Sequence, residues 1–370
     1  MIRKLAFGLF DSGETILGAL VFSTFFPLYI TEYIDPKIYS LLYSFSFLLS
    51  FIIALYLGKK ADREGKRKNF FVYFSLAVSL FCIMLFPFHK LPYISLLIFL
   101  FLAISHQQAF VFYNSLLLEF EEKGITSGMG VALGYVASAV SLLFLVSILE
   151  PPEGYIYLGV LFIGLSLPSF LFIKNPPQTS NIRLIEIFKD RKFIFLMLSI
   201  LSVTEVANTL IAMMGIYLKE VYGMENEEIY RVIGLSAVGG ILGGILWGKL
   251  IDAHKDIRSI FSLGFYLWIL FLLILPLVPK NLILVAGLIA GLSLAHLWTC
   301  SRILILKKFP EGEASVRLSF LSLSERIAST TGLLTWSILL YITGDNYRFS
   351  VILMSVFPIL GLIIFKKTVR

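Results

Sequence analysis

The sequence predicts an all-α polytopic membrane protein in which twelve transmembrane helices form two pseudo-symmetric six-helix halves. Composition is the first observation behind this. Of 370 residues, 58% are apolar and only 15% charged, and the mean hydropathy is +0.88. Soluble domains carry about 45–50% apolar and about 25% charged residues. A chain this poor in polar groups cannot cover itself in water, so a soluble enzyme, a nucleic-acid-binding domain and a secreted disulfide scaffold are excluded. The partner it implies is the lipid bilayer. The second observation is a succession of long apolar stretches, and the third is an internal repeat at an offset of 190 residues.

A crossing helix needs about 20 apolar residues, because a rise of about 1.5 Å per residue must cover about 30 Å. Cutting the chain at charge and Pro/Gly clusters gives spans at 5–31, 38–58, 69–88, 91–118, 126–149, 154–173, 193–218, 228–251, 258–278, 281–306, 315–342 and 347–365. Strand-type alternation is absent, and lipid tolerates no unpaired backbone, so these are helices. The first span does not read as a cleavable signal, since it runs long and carries Asp11 and Glu14. Cys82 and Cys300 both lie in apolar runs and form no ligand cluster. No cofactor or metal set is expected.

Lys and Arg positions set the orientation. With an even number of spans both termini share a face. That face takes Arg3, Lys4, Lys59 to Lys68, Lys123, Lys174 to Lys192, Lys249 to Arg258, Arg302 to Arg317 and the tail from Lys366, or 24 of 31 basic residues. The opposite face has six, and Arg326 falls inside a span. Both termini are therefore expected in the cytoplasm, the protein lying in a cell (inner) membrane. This placement also explains the net charge of +7. Pro176 and Pro177 stop the sixth span. The chain thus divides into a half at 1–174, a linker at 175–191 and a half at 192–370. In the linker, Ile182, Ile185 and Phe188 among Arg183, Glu186 and Lys189 read as an interfacial amphipathic helix.

The repeat is the most informative pattern. Gly58 and Asp62 follow the second span, with Arg63 and Arg67 beyond; Gly248 and Asp252 follow the eighth. The offset of 190 joins Gly58 to Gly248, Asp62 to Asp252 and His106 to His296, and brings Glu14 within one residue of Glu205. The Gly, Asp and basic pattern of this loop, and its return after span eight, resemble the signature loop of the major facilitator superfamily. That resemblance implies a loop that latches the two halves and controls their rocking, with Gly58, Asp62, Arg63, Arg67, Gly248 and Asp252 as a cytoplasmic gate. A narrower resemblance covers spans one to five. The run from Phe110 through Tyr113 and Asn114 to Glu119, and the run from Ser127 to Tyr135, look like the branch of autophagy-type vacuolar amino-acid effluxers. In the first span, Phe10 and Asp11 match that branch, while Ser12 and Glu14 replace its Trp and Asn. The branch implies an amino-acid-like substrate and export.

Ionisable groups inside spans are costly, so each needs a reason. Asp11 and Glu14, at i and i+3, share one face of span one. Glu205 and Asn208 lie in span seven, His106 with Gln107 and Gln108 in span four, His296 and Trp298 in span ten, and Glu325 and Arg326 in span eleven. Spans three, six, nine and twelve carry no charge between their ends. This fits the arrangement implied by the resemblance, with spans one, four, seven and ten lining a cavity, two, five, eight and eleven forming the seam, and the rest facing lipid. Glu14, Glu205 and Asp11 are the candidates for proton coupling. Candidate substrate contacts are His106, Gln107, Gln108, Tyr113, Asn114, Asn208, His296, Trp298, Glu325 and Arg326. Each has a plainer alternative as a helix-contact residue. Glycines 128, 130 and 134, and those of span eight, are expected to permit close helix approach.

No phosphate-cradling loop or nucleophile elbow is present. The expected function is therefore secondary active transport of a small organic solute driven by protons, by a monomer with no enzymatic activity. Two other cargoes suit the same machine. Phe22, Phe25, Phe26, Phe110, Phe112 and Trp298 would suit amphipathic drugs or lysolipids, and Asp11, Glu14, His106 and His296 a divalent metal. A membrane sensor or scaffold that transports nothing is the alternative of a different class.

Overall fold

The computed structural model describes residues 1–254 and 256–368. Lys255, Val369 and Arg370, which belong to two of the basic clusters counted above, lie outside the described residues. Twelve long helices are present among the described residues: α1 (Ile2–Ile30), α2 (Pro36–Glu64), α3 (Arg67–Phe88), α4 (Pro92–Glu119), α5 (Lys123–Ile148), α6 (Glu153–Phe172), α7 (Arg191–Tyr222), α8 (Asn226–Ala253), α9 (Ile257–Leu277), α10 (Lys280–Lys308), α11 (Ala314–Thr343) and α12 (Tyr347–Thr368). Eleven are long and apolar enough to cross a membrane. The remaining one, α11, has 30 residues but carries Arg317, Glu325 and Arg326 among many hydroxyls. Its first half is buried inside the protein with Arg317, while Glu325 and Arg326 line the internal cavity.

The packing repeats between halves. In the first, α1 lies against α5 and α6; in the second, α7 lies against α11 and α12. Across the halves the main contacts are α5 with α8 and α2 with α11, the seam expected from the sequence. The α5–α8 crossing is close because glycine faces glycine. A Cβ added to Gly128 would stand 2.0 Å from the carbonyl oxygen of Gly244, and one added to Gly244 would stand 2.5 Å from that of Gly128. Neither backbone can yield, so Gly128→Val is expected to destabilise the fold by at least about 1–3 kcal/mol, the range typical of overpacking. Size-exclusion profiles and melting curves of the variant check this; an unshifted melting temperature would mean that the two helices can separate freely here.

Two local features differ from a simple bundle. From Gly18 to Phe25, α1 winds as a π-helix, and Ser23 and Thr24 donate to carbonyls five residues back. The wider turn rotates the remainder of the helix about its axis. Phe22 consequently packs on His106 and Phe99, with ring centroids 4.7 and 5.5 Å away, and Phe26 stacks on Phe99 at 3.9 Å. These rings fill the first half instead of facing the cavity, where a drug-like cargo would need them.

The linker contains only a short helix, Leu184–Lys189, on which Ile185 and Phe188 are half exposed and Ile187 is buried. It is fastened to the second half. Phe188 meets the edge of Phe320 at 5.3 Å, and Asp190 both caps α7 at Phe193 and pairs with Arg317 at 3.0 Å.

Candidate functional site

The repeated Gly–Asp loops close the face that carries both termini. Asp62, fully buried at the end of α2, accepts from the backbone N–H groups of Ser315 (3.1 Å) and Val316 (3.0 Å) at the start of α11. A carboxylate there satisfies otherwise orphaned donors and meets the positive end of the helix dipole. Gly58 allows the approach, since a Cβ would stand 3.2 Å from the Ser315 carbonyl carbon. Asp252 does the same for the other half, accepting from Gly124 (2.9 Å) and Ile125 (2.7 Å) at the start of α5, with Gly248 against Gly124.

The two caps differ in one respect. Arg67, also fully buried, pairs with Asp62 at 2.9 Å and donates to the carbonyls of Gln178, Glu311 and Gly312. The residue 190 positions on is Ile257. Arg63, expected in the gate, is instead exposed and pairs with its neighbour Glu64 at 3.6 Å. Its position on the outer side of the last turn of α2 turns it to solvent.

Above these caps lies a cavity of about 630 Å³ that runs between the halves toward the opposite face, as far as Leu218, Leu275 and Ile283. Its polar groups gather near the capped end: Asp11 and Glu14 from α1, Gln107 and Asn114 from α4, Arg302 from α10, and Glu325 and Arg326 from α11. Phe110 and Trp298 also line it. Three acids and two bases, drawn from both halves, therefore share the capped end of the cavity.

By sequence Arg302 and Arg317 belong to the basic set of the face that carries both termini. Both are buried, at 4% exposure. Helix α10 continues to Lys308, so Arg302 sits well inside it. Its guanidinium reaches across the seam, donating to Asn114 Oδ1 (2.8 Å), Ser127 Oγ (2.6 Å) and the Ser127 carbonyl (2.8 Å), and pairing with Asp11 at 3.4 Å. Gly130 makes room for Asp11, because a Cβ there would stand 2.0 Å from Oδ2. Arg317 is held by Glu313 (2.7 Å) and Asp190, with the rings of Phe193 and Phe309 beneath it.

On the other side of the cavity Arg326 lies over the Phe47 ring at 4.3 Å. The Gln107 amide is oriented by its neighbours, donating to Ser322 Oγ (2.6 Å) while its oxygen accepts from Arg326 Nε (3.1 Å). Glu14 Oε1 is 3.4 Å from His106 Nε2, which stands behind it in the first half.

The other sequence candidates lie off the cavity wall. Tyr113 is fully buried, donates to the Phe7 carbonyl at 2.9 Å and stacks on Phe7 at 4.0 Å. Gln108 ties α4 to the Ser50 carbonyl and hydroxyl of α2 (2.7 and 2.8 Å). His296 contacts the Ile260 carbonyl at 2.9 Å and fills the space beside Gly264, joining α10 to α9. Glu205 accepts from Thr335 at 3.2 Å, and Asn208 donates to the Glu325 carbonyl and Ser329 (3.1 and 3.0 Å), so both serve the α7–α11 contact. His296 does not join Asp11, Glu14 and His106. Among the described residues no three His, Cys, Asp or Glu side chains assemble as a metal set.

The cavity wall also includes Trp268, Phe271 and Leu275 of α9. That helix was expected to face only lipid, because its span carries no charge. An apolar cavity wall leaves the same sequence signature, which is why the pattern missed it.

Comparison with known proteins agrees with this architecture. The model of the Major Facilitator Superfamily matches residues 15–256 and 196–369. An uncharacterized protein of Aquifex aeolicus (strain VF5) is 54% identical over 367 residues, which is 99% of this chain and 97% of that one. Among solved structures, a bacterial homologue of the iron transporter ferroportin in an outward-facing state superposes with a TM-score of 0.77 at 18% identity, covering 100% of this chain and 98% of that one. The E. coli fucose:proton symporter gives 0.79 at 12% identity over 100% and 98%. The human organic anion transporter gives 0.78 at 11% over 98% of each chain. At these identities the likeness concerns the fold.

Proposed function

The chain belongs to the major facilitator superfamily, and from that premise we propose that it is a proton-coupled secondary transporter that exports a small amine-bearing, amino-acid-like solute by alternating access. It is an integral membrane protein with a transporter fold, not an enzyme. The observation that carries the finer reading is the charge on the cavity wall. Asp11 is neutralised by Arg302, which leaves Glu14 and Glu325 facing one further cation in the cavity, Arg326. One negative charge is in excess. A proton or the ammonium group of a solute balances it, but not both, and that competition is the physical basis of exchange. Differential affinity of both ligands for the two cavity states is what shifts the equilibrium. The basic bias of the capped face supports a cytoplasmic placement of both termini, so the cavity is read as open to the outside.

Glu14 is the foremost coupling residue, because it reaches the cavity and Glu205 does not. Glu14→Gln is expected to abolish gradient-driven accumulation in proteoliposomes while solute exchange without a gradient continues. Glu205→Gln is expected to reduce accumulation less, by under about tenfold, which is 1.4 kcal/mol. The test is uptake from a pool of amino acids, cationic amines, lysolipids and divalent metals, read by mass spectrometry with and without an imposed pH gradient. Accumulation of amines only with the gradient supports the reading. Accumulation of metal alone, or gradient-driven flux through Glu14→Gln equal to that of the parent, overturns it.

A further inference from the structure

We propose that His106 is a positioning residue for Glu14: its Nε2 accepts a hydrogen bond from the protonated acid and turns the ionised carboxylate away, into the cavity. The proposal rests on the coupling role given to Glu14 above and deepens it, naming the group that tells the two protonation states apart. Glu14 lines the cavity with its side chain 23% exposed, whereas the side chain of His106 is 6% exposed and lies behind it. Glu14 Oε1 stands 3.4 Å from His106 Nε2. The two are not aligned as a hydrogen bond, and Nε2, which is buried, has no other partner among the described residues. An orphaned buried polar atom calls for an explanation. Phe22 packs on the imidazole at 4.7 Å, and Arg326 acts on it from α11. Glu14 itself faces Asp11 on its own helix, Arg302 on α10, and Glu325 and Arg326 on α11.

The second half offers a direct comparison. His296, which stands 190 positions on from His106, engages its Nε2 with the Ile260 carbonyl at 2.9 Å. The residue 190 positions on from Glu14 is Thr204, whose hydroxyl donates to the Ile200 carbonyl of its own helix at 2.9 Å. There the histidine ties two helices, and no acid occupies the position of Glu14. In the first half the acid is present, and the histidine nitrogen beside it is left open.

The chemistry follows from that nitrogen. A neutral imidazole with its proton on Nδ1 presents a lone pair at Nε2. A carboxylic acid donates to this lone pair, which holds its proton on the side of Glu14 away from the solute. A carboxylate oxygen meets the same lone pair as a second acceptor and is repelled, so it rotates toward an ammonium group in the cavity. No proton passes to the ring. The exclusion between proton and ammonium is then a matter of where the carboxyl points as well as of charge.

The test is an infrared pH titration of the full-length protein in lipid nanodiscs, with the proton as the only ligand. The acid carbonyl band that is missing from Glu14→Gln belongs to Glu14. In His106→Leu this band is expected to rise in frequency, because the acid has lost its acceptor. It is also expected to appear about one pH unit lower, an about tenfold weaker hold on the proton, equivalent to about 1.4 kcal/mol. A net hydrogen bond is worth that much. His106→Gln, whose amide reaches the position of Nε2, is expected to restore both, and the shorter His106→Asn to restore neither. A packing role alone would move the melting temperature and leave band and midpoint in place. Unchanged frequency and midpoint in either loss variant, once folded, overturn the proposal, as does a shift that His106→Gln does not reverse. The two readings fail separately. A Glu14 band that answers to His106 without gradient-driven flux would remove proton coupling and leave the pair, whereas gradient-driven flux through Glu14 with a band indifferent to His106 would remove the pair alone.

Discussion

Asp62→Ala is expected to cost about 3–5 kcal/mol of the stability of the capped arrangement, because it strands a buried guanidinium. Arg67 and Asp62 are both fully buried, and Asp62 is the only carboxylate with which Arg67 pairs among the described residues. The variant also removes the acceptor for two N–H groups of α11. The loss falls on one conformational state, since the contacts exist only while α2 and α11 touch. A fall in melting temperature should therefore come with greater access of water-soluble thiol reagents to cysteines placed on the capped face. Asp62→Asn with Arg67→Met is expected to recover much of the stability, as it removes both charges together. If Asp62→Ala melts like the parent, the cap carries no load.

Arg302 is where a substitution should damage transport most. Its five donors in a planar fork serve three acceptors from the helices of the other half. Lysine keeps the charge but cannot reproduce that fork. Arg302→Lys is therefore expected to remain folded and to lower solute exchange by at least about tenfold, equivalent to 1.4 kcal/mol. Arg302→Met goes further and leaves Asp11 buried without its cation, so stability falls as well. A double-mutant cycle with Asp11→Asn measures the tie. Coupling below about 0.5 kcal/mol would be the value of independent sites and would mean that Asp11 does not hold Arg302.

Helix number, seam and caps were legible because each rests on a local pattern: apolar length, glycine spacing and a repeated Gly–Asp pair. The candidate site was legible only in part. Asp11, Glu14, Gln107, Asn114, Trp298, Glu325 and Arg326 do line the cavity. Arg302 was hidden by its nearness to Lys307 and Lys308, although the absence of any helix breaker before Pro310 was a usable sign that it lies within the helix. His296 and Glu205 look equivalent to His106 and Glu14 by offset, yet an offset records ancestry and not rotation about the helix axis. The π-helical stretch of α1 has the same effect on Phe22 and Phe26: one wide turn, invisible to a period of 3.6, moves their rings to another face.

The unequal caps carry an implication for how the duplicated chain wears its symmetry. On one side Arg67 binds the linker at Gln178 and the loop before α11 at Glu311 and Gly312, as well as its own aspartate. On the other, Asp252 holds α5 by two backbone bonds, and Arg258 beside Ile257 pairs with Asp256 instead. With Ile257 at the position that the offset pairs with Arg67, the second cap has fewer ties than the first and is expected to part before it.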